Sequence, residues 1–204
     1  MDTAVQTNYP IHELLQKRWS PRAFSTQSVE PEKLLSLFEA ARWSASGFNL
    51  QPWSFLVVTR QNPEPFDKLV AVLSEGNQLW AKNVQVLVLA LARREREPGK
   101  PNPWAAYDLG QSIAHLSIQA SALGLQVHQM GGFDPQKAVN AFDIPEEFQA
   151  ITVVAIGYAG DPNQLPDNLR ERELQTRTRK PLSEIVFENR WNQPLEKIQA
   201  MVEA

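Results

Sequence analysis

The sequence predicts an α+β or α/β sandwich in which helices cover both faces of a mixed sheet. Two nearly continuous apolar runs, residues 84–92 and 151–158, are typical of central strands that are buried on both faces. Between them, residues 104–123 carry apolar side chains at helical spacing, and Gly124 ends that pattern. The chain has 204 residues, 43% of them hydrophobic, and shows no internal repeat, so we expect one domain over residues 1–204.

The N-terminal part is predicted to form two helices. Apolar residues from Ile11 to Leu15 share one helical face, and Pro21 disfavours helical backbone in the residue before it. The first helix is therefore expected to end near Trp19. A second helix is expected over residues 31–43, because its first residue is a proline, which suits the first helical position.

The middle of the chain alternates strand and helix signals. Residues 55–59 are rich in β-branched side chains and predict a strand, whereas residues 65–73 return to helical spacing, with an expected end at Gly76. Residues 126–130 predict a short strand. Asp134, followed by a proline, predicts the start of another helix, since the pair suits the N-cap and first helical positions.

Two polar stretches are predicted to lie outside the core. Residues 93–103 are charged and contain proline, so we expect a surface loop of a length that is often functional. Residues 161–180, at the start of the segment 161–204, carry too few apolar side chains for a core of their own. We expect this segment to form an arm, with a strand over 182–187 and a helix over 194–202, that docks on another surface such as a partner subunit.

The composition excludes several classes of site. Without cysteine, the chain has no disulfide, thiolate nucleophile or cysteine-ligated metal, and a reducing compartment is expected. His12, His115 and His128 lack ligand spacing, so no metal site is predicted, and neither a GxGxxG nor a P-loop motif occurs. A net charge of -3 argues against nucleic acid or a membrane as a partner, and no apolar run approaches a bilayer span. We expect a soluble, cytoplasmic protein.

Two arginine clusters are candidate anion sites. Arg18, Ser20 and Arg22 place two guanidinium groups and a hydroxyl at the end of a helix, an arrangement that suits a phosphate. Favourable interaction with the helix dipole explains the same cluster without a ligand. A second cluster lies in the polar tail, where solvation is the alternative explanation. Its members are Arg170, Arg172, Arg177, Arg179 and Lys180.

Two further segments are candidate ligand contacts. Residues 44–53 combine small polar groups with Phe48 and Trp53, which suits the edge and face of a planar heterocycle. A helix C-cap followed by a strand is the alternative. Residues 130–133 form a strand-to-helix turn, where Gly131 and Gly132 let backbone amides approach a ligand closely. A plain tight turn explains this segment too.

Taken in order, four blocks resemble the nitroreductase family of FMN flavoproteins over residues 11–187. They are Arg18-Trp19-Ser20-Pro21-Arg22-Ala23-Phe24, Asn49-Leu50-Gln51-Pro52-Trp53-Ser54-Phe55, His128-Gln129-Met130-Gly131-Gly132-Phe133-Asp134 and Arg179-Lys180-Pro181-Leu182. The resemblance implies an α+β fold with a mixed, mainly antiparallel sheet flanked by helices. It also implies a homodimer with FMN at the subunit interface, in which the C-terminal arm wraps the partner.

The resemblance assigns the phosphate end of FMN to arginines. Arg18 and Ser20 would contact the phosphate and ribityl end, and Arg177 and Arg179 would close on the phosphate. Arg22 would lie at the pyrimidine edge, where a cation stabilises the negative charge that builds at N1 and O2 on reduction.

The other implied contacts come from three segments. Asn77 would share the pyrimidine edge, and the turn of Met130, Gly131 and Gly132 would lie against N5. A loop would reach the FMN of the other subunit through Ser46, Gly47 and Asn49. Relatives often carry Pro-Ser-Ser where this chain has Ala45-Ser46-Gly47, so a hydroxyl contact is lost at Gly47, while a backbone contact would survive.

The implied reaction is ping-pong: NADH or NADPH reduces FMN at N5, leaves, and is replaced by a small acceptor such as a nitroaromatic or a quinone. Because the flavin supplies the reactivity, no catalytic acid or nucleophile is predicted, and His128 is expected to be structural. Phe48, Trp104 and Tyr107 are candidate substrate contacts, with core or interface packing as the alternative. The alternative functions are a non-catalytic FMN-binding dimer and a reductase or dehydrogenase of the same fold with another substrate.

Overall fold

The computed structural model describes residue 5 and residues 7–195, and the chain divides into two units, residues 1–174 and 175–204. The first unit contains all the strands and α-helices among the described residues. The strands are β1 (Trp53–Thr59), β2 (Val86–Arg93), β3 (Glu95–Glu97), β4 (Lys100–Pro101), β5 (Gln126–Met130) and β6 (Phe148–Gly157). The helices are α1 (Glu13–Lys17), α2 (Pro31–Arg42), α3 (Pro63–Ala71), α4 (Glu75–Ala81), α5 (Ala105–Ala122), α6 (Pro135–Ala141) and α7 (Asp167–Leu174).

A four-stranded sheet with the order β1-β2-β6-β5 runs through the first unit. The apolar runs predicted as central strands are β2 and β6, and both are confirmed in the middle of the sheet. Every pairing in this sheet is antiparallel. The predicted α+β class is therefore confirmed. Within the described residues, this sheet is antiparallel throughout, whereas the sequence predicts a mixed, mainly antiparallel sheet.

Two apolar cores lie on the two faces of the sheet. Along β2, Leu87 and Leu89 face the core that contains α3, α4, α6 and α7. Val86 and Val88 face the other core, against α2 and α5. Side chains of a strand alternate between faces, so a strand with a core on each side is apolar at every position. This two-sided burial explains the continuous apolar runs in the sequence.

Two predictions for the middle of the chain were wrong. The helix expected to end at Gly76 is α3, which ends at Ala71, and Gly76 lies inside α4. Ser74 is the N-cap of α4, so a three-residue break separates two helices that the apolar spacing had merged into one. The segment 93–103 is exposed as expected, but it forms the hairpin β3–β4, with Gly99 in the left-handed region at φ 73°.

The C-terminal part also departs from the expectation. Residues 162–174 belong to the first unit, as a 3₁₀ turn and α7, with Leu165 and Leu169 buried in its core. The second unit thus begins at Gln175, later than the arm expected from residue 161. Residues 182–184 form a 3₁₀ turn in place of the expected strand, since no strand is available to pair with them among the described residues of that unit. The helix expected over residues 194–202 lies outside the described residues, except for 194 and 195.

Candidate cofactor site

The segment that follows α1 is fastened to the edge strand β5 by His128. Its Nδ1 lies 2.8 Å from the carbonyl oxygen of Pro21. A carbonyl only accepts, so Nδ1 carries the proton and donates. Burial lowers the pKa of His128 to about 4, and the positive charge of Arg22 contributes to the lowering. The ring is therefore neutral at pH 7 and packs against Trp80, with 4.6 Å between the ring centroids and 39° between the ring planes. These contacts favour a structural role for His128.

Arg18 and Ser20 form a local pair at the end of α1. The Arg18 guanidinium donates to the Ser20 hydroxyl at 3.3 Å, and the Ser20 side chain is exposed. The two groups that the sequence predicts as an anion site therefore lie together at the surface. A hydroxyl that accepts from an arginine retains its own proton for a second acceptor, such as a phosphate oxygen.

Arg22 is held by a residue that sequence reasoning missed. The carboxylate of Glu173, in α7, accepts the backbone N–H of Arg22 at 2.9 Å and that of Ala23 at 3.0 Å. The Arg22 guanidinium lies 3.7 Å from the same carboxylate. The Glu173 side chain is 0% exposed, against 27% for Arg22. The apolar spacing of Leu165 and Leu169 was the only signal that this polar stretch packs on the core.

Hydrogen bonds from the start of α4 hold the glycine turn that follows β5. The carbonyl oxygen of Gly132 accepts from the backbone N–H of Ser74 at 2.9 Å and from the side-chain amide of Asn77 at 2.9 Å. The carbonyl oxygen of Met130 accepts from the hydroxyl of Thr152 at 3.0 Å. Asn77, which the resemblance places at the pyrimidine edge, therefore contacts the glycine turn through its side-chain N–H group.

The turn leaves backbone donors exposed. Gly131 and Gly132 are both exposed, and among the described residues neither amide N–H is found donating to a protein acceptor. A Cβ atom at Gly132 would lie 2.8 Å from the Ser74 hydroxyl oxygen, whereas a Cβ atom at Gly131 would meet nothing within 4 Å. Space therefore remains open on the Gly131 side for a ligand that accepts a hydrogen bond.

The loop between α2 and β1 adopts a strained conformation. Phe48 and Asn49 have φ values of 52° and 55°, in the left-handed region that residues other than glycine rarely occupy. The Ser46 hydroxyl accepts from the backbone N–H of Gln51 at 3.0 Å. The N–H of Gly47 donates to the buried carboxylate of Asp108 at 3.1 Å, so this backbone donor is already occupied. Asp108 is a second residue that sequence reasoning missed.

The three aromatic candidates lie together. Phe48, Trp104 and Tyr107 line one pocket of about 230 Å³ beside the loop. Their exposed fractions are 86%, 59% and 66%. Since all three rings remain largely exposed, core packing within the chain does not explain them. They form an open aromatic slot, as expected of either a substrate contact or an interface.

The two groups of predicted residues lie at opposite edges of the sheet. The glycine turn follows β5, and the loop with Ser46 and Gly47 precedes β1. Both β1 and β5 are edge strands, separated by two others. With neighbouring strands about 4.8 Å apart, the two edges are about 14 Å from each other. Within one chain, the two groups of predicted residues are therefore well separated.

The predicted residues Arg177 and Arg179 belong to the second unit. Burial lowers the pKa of Arg177, and the positive charge of Arg179 lowers it further. The Arg179 guanidinium donates to the carbonyl oxygen of Thr178 at 2.7 Å. Their convergence with Arg18 on one phosphate stays a prediction.

Neither a cluster of potential metal ligands nor a membrane-spanning helix is found in the described part of the chain. No three histidine, aspartate or glutamate side chains there lie close enough to hold a metal ion. None of the described helices combines the length and the apolar character that a bilayer span needs.

Comparison with known proteins points to one family. The model of the nitroreductase family matches residues 15–158. An uncharacterised 15.4 kDa protein from Mycolicibacterium smegmatis is 36% identical over 132 residues, which cover 65% of this chain and 88% of that protein. A Streptomyces coelicolor protein provisionally named NADH dehydrogenase/NAD(P)H nitroreductase is 26% identical, over 69% of this chain and 78% of its own. A crystal structure described as an oxidoreductase containing FMN superposes with a TM-score of 0.87 and 38% identity, covering 93% of this chain and 96% of the other.

Proposed function

Because the chain belongs to the nitroreductase family, we propose that it binds FMN and passes reducing equivalents from NADH or NADPH to a small acceptor such as a nitroaromatic or a quinone. One observation carries the proposal. Gly131 and Gly132 are exposed after β5, and among the described residues their backbone N–H groups have no protein acceptor; His128 fastens the segment with Arg18 and Arg22 to the same strand.

The glycine turn fits the N5 region of a flavin. The N5 atom needs a donor that does not itself compete as a proton source, and a backbone amide meets that requirement. The open space at Gly131 allows a flat ring to approach the main chain, while the contacts of Ser74 and Asn77 with Gly132 fix the direction of the turn. Met130, Gly131 and Gly132 would therefore lie against N5, and Asn77 would share the pyrimidine edge.

The arginines fit the two charged ends of the cofactor. Arg18 and Ser20 would hold the phosphate and the ribityl end, since a guanidinium fork and a hydroxyl match phosphate oxygens. Arg22 would lie at the pyrimidine edge, where its positive charge stabilises the negative charge of the reduced ring.

The site would be completed by a second copy of the chain. The loop with Ser46, Gly47 and Asn49 lies at the β1 edge, about 14 Å from the β5 edge. A homodimer that brings the β1 edge of one subunit to the β5 edge of the other would place this loop beside the glycine turn of the other subunit. The exposed rings of Phe48, Trp104 and Tyr107 would then face the cofactor of the partner and bind the flat acceptor or the nicotinamide.

When bound, FMN supplies the two-electron chemistry at N5. The residues of this chain bind and orient the cofactor, and none of them is assigned as an acid, a base or a nucleophile. His128 is neutral at pH 7, and its protonated nitrogen donates to Pro21, so it holds the binding segment in place.

The test measures cofactor uptake and turnover together. The purified chain is mixed with FMN, and the oxidation of NADH and NADPH is followed with nitrofurazone or menadione as the acceptor. We expect one FMN per subunit and saturable oxidation of at least one nicotinamide. A chain that takes up no FMN contradicts the proposal. Bound FMN without turnover favours the non-catalytic binding protein instead.

A further inference from the structure

We propose that Glu173 is a positioning residue that holds Arg22 and lowers the net positive charge at the pyrimidine edge of the cofactor, and so sets its reduction potential. The inference rests on the proposed function, which places Arg22 at that edge. It adds a residue from α7, which no motif of the sequence singled out.

The contacts of Glu173 engage both of its oxygens. One oxygen accepts the N–H groups of Arg22 and Ala23, at 2.9 Å and 3.0 Å, and the other also accepts from Arg22 at 2.9 Å. The side chain is 0% exposed. A buried carboxylate is stable only when its oxygens are hydrogen-bonded or paired with a cation. Glu173 meets both conditions, because its oxygens accept the backbone N–H groups of Arg22 and Ala23 and lie near the Arg22 guanidinium.

The held segment cannot easily move away from the sheet. Phe24 forms a β-bridge with Ala159, and the N–H of Gly160 donates to the carbonyl oxygen of Ala23 at 2.8 Å. A Cβ atom at Gly160 would lie 2.5 Å from the backbone of Phe24, so the two segments are in close contact. His128 also holds Pro21, so Arg22 is the partly exposed residue of a fixed segment in which Pro21, Ala23 and Phe24 are buried.

The charges around Arg22 give the direction of the effect. Its guanidinium lies 3.7 Å from the Glu173 carboxylate, and its side chain is 27% exposed, so the group is open to a ligand on its other side. His128 is neutral at pH 7 and adds no charge. Arg22 and Glu173 together therefore carry a net charge near zero. Removing the carboxylate charge leaves the full positive charge of Arg22 facing the flavin, which favours its reduced form.

The substitution Glu173→Gln tests the proposal, because glutamine keeps one oxygen as an acceptor for the backbone amides and removes the charge. The control is Glu171→Gln, which removes an exposed charge from the same helix. For each protein, the midpoint potential of the bound FMN, the dissociation constant of oxidised FMN and the melting temperature are measured. Wild-type protein that binds no FMN refutes the proposed function, whereas bound FMN with an unchanged potential in Glu173→Gln refutes only this inference.

We expect Glu173→Gln to favour the reduced over the oxidised cofactor about tenfold, which raises the midpoint potential by about 30 mV for a two-electron couple. The control should leave the potential unchanged. A purely structural role would weaken the binding of both redox forms equally and leave the potential in place. A shift to lower potential would also overturn the proposal.

A second variant covers the case in which Glu173→Gln does not fold. Arg22→Gln removes the exposed guanidinium and leaves the carboxylate of Glu173 as the charge nearest the edge. We expect it to favour the oxidised cofactor at least tenfold, with a corresponding fall in midpoint potential. An unchanged potential in this variant would mean that the Arg22 and Glu173 pair does not lie at the cofactor, and would overturn the inference.

Discussion

The side-chain amide of Asn77 donates to the carbonyl oxygen of Gly132 at 2.9 Å, and this contact ties the start of α4 to the turn after β5. The backbone N–H of Ser74 donates to the same oxygen. Two donors at the start of α4 therefore fix the carbonyl group of Gly132. The backbone N–H groups of Gly131 and Gly132 have no protein acceptor among the described residues. The position that the proposed N5 contact needs is fixed by residues far away in the sequence.

The close approach of α4 predicts that Gly132→Ala damages the turn. The added Cβ atom would lie 2.8 Å from the Ser74 hydroxyl oxygen and 2.9 Å from the Asn77 amide nitrogen. The two side chains must turn away, which breaks the bond from Asn77 to Gly132, so we expect a loss of about 1 kcal/mol in the free energy of unfolding and weaker FMN binding. Gly131→Ala is the matched control for stability, because a Cβ atom there meets nothing within 4 Å. Equal stability losses in the two variants, measured by urea unfolding, would contradict the account.

The proposed phosphate contact predicts that Arg18→Ala weakens FMN binding but leaves riboflavin binding unchanged, because riboflavin lacks the phosphate. A hydrogen bond to a charged group contributes about 1.5–3 kcal/mol, so the dissociation constant of FMN should rise about tenfold to a hundredfold. Lys17→Ala is the control, since Lys17 is the neighbouring cation and pairs with Glu13. Fluorescence titration measures both ligands. An equal loss for FMN and riboflavin would exclude a phosphate contact.

The aromatic slot predicts that Trp104→Ala raises the KM for menadione and nitrofurazone. Losing a stacking partner should cost about 1.4 kcal/mol, or about tenfold in KM. Trp43→Ala is the control, because Trp43 is 74% exposed but does not line the slot. Steady-state kinetics with each acceptor gives the result. If both variants behave alike, the slot is an interface or a surface feature and not the acceptor site.

Burial of His128 predicts a loss of stability at low pH. Its pKa is about 4 in the folded chain, against an ordinary value of 6.5, so the unfolded chain binds a proton that the folded chain rejects between these values. The free energy of unfolding should therefore fall as the pH drops from 6.5 towards 4, by up to about 1.4 kcal/mol per pH unit from this group.

The substitution His128→Gln should flatten that dependence. His115→Gln is its control, since His115 is exposed. Urea unfolding at several pH values measures the slope for each protein. A slope in His128→Gln that equals the wild-type slope would show that another group is responsible.

The sequence predicts the central strands and the long helix because their patterns are local. The residues of β2, β6 and α5 repeat with the period of their element, and each element is long enough for the period to be read. The break between α3 and α4 is missed since Val72 and Leu73 continue the apolar spacing of the helix before them. At that point the chain leaves the helix, because Leu73 forms a β-bridge with Phe133 on a distant segment.

The residues of the candidate site also differ in how well the sequence predicts them. Arg18, Ser20 and the two glycines lie in short motifs, so the sequence indicates them directly. Glu173 and Asp108 act on backbone groups more than 60 positions away, through the bonds to Arg22 and Gly47. No single sequence pattern predicts such long-range partners, because tertiary packing determines which backbone amides they meet.

The most direct test of the central claim is an anaerobic absorption spectrum of the FMN-loaded protein after NADH or NADPH is added, before any acceptor is present. The account predicts that one of the two nicotinamides bleaches the flavin band fully and that a later addition of menadione restores it. A flavin band that neither nicotinamide bleaches, in a protein that holds one FMN per subunit, would contradict the claim that this chain is an NAD(P)H-dependent reductase.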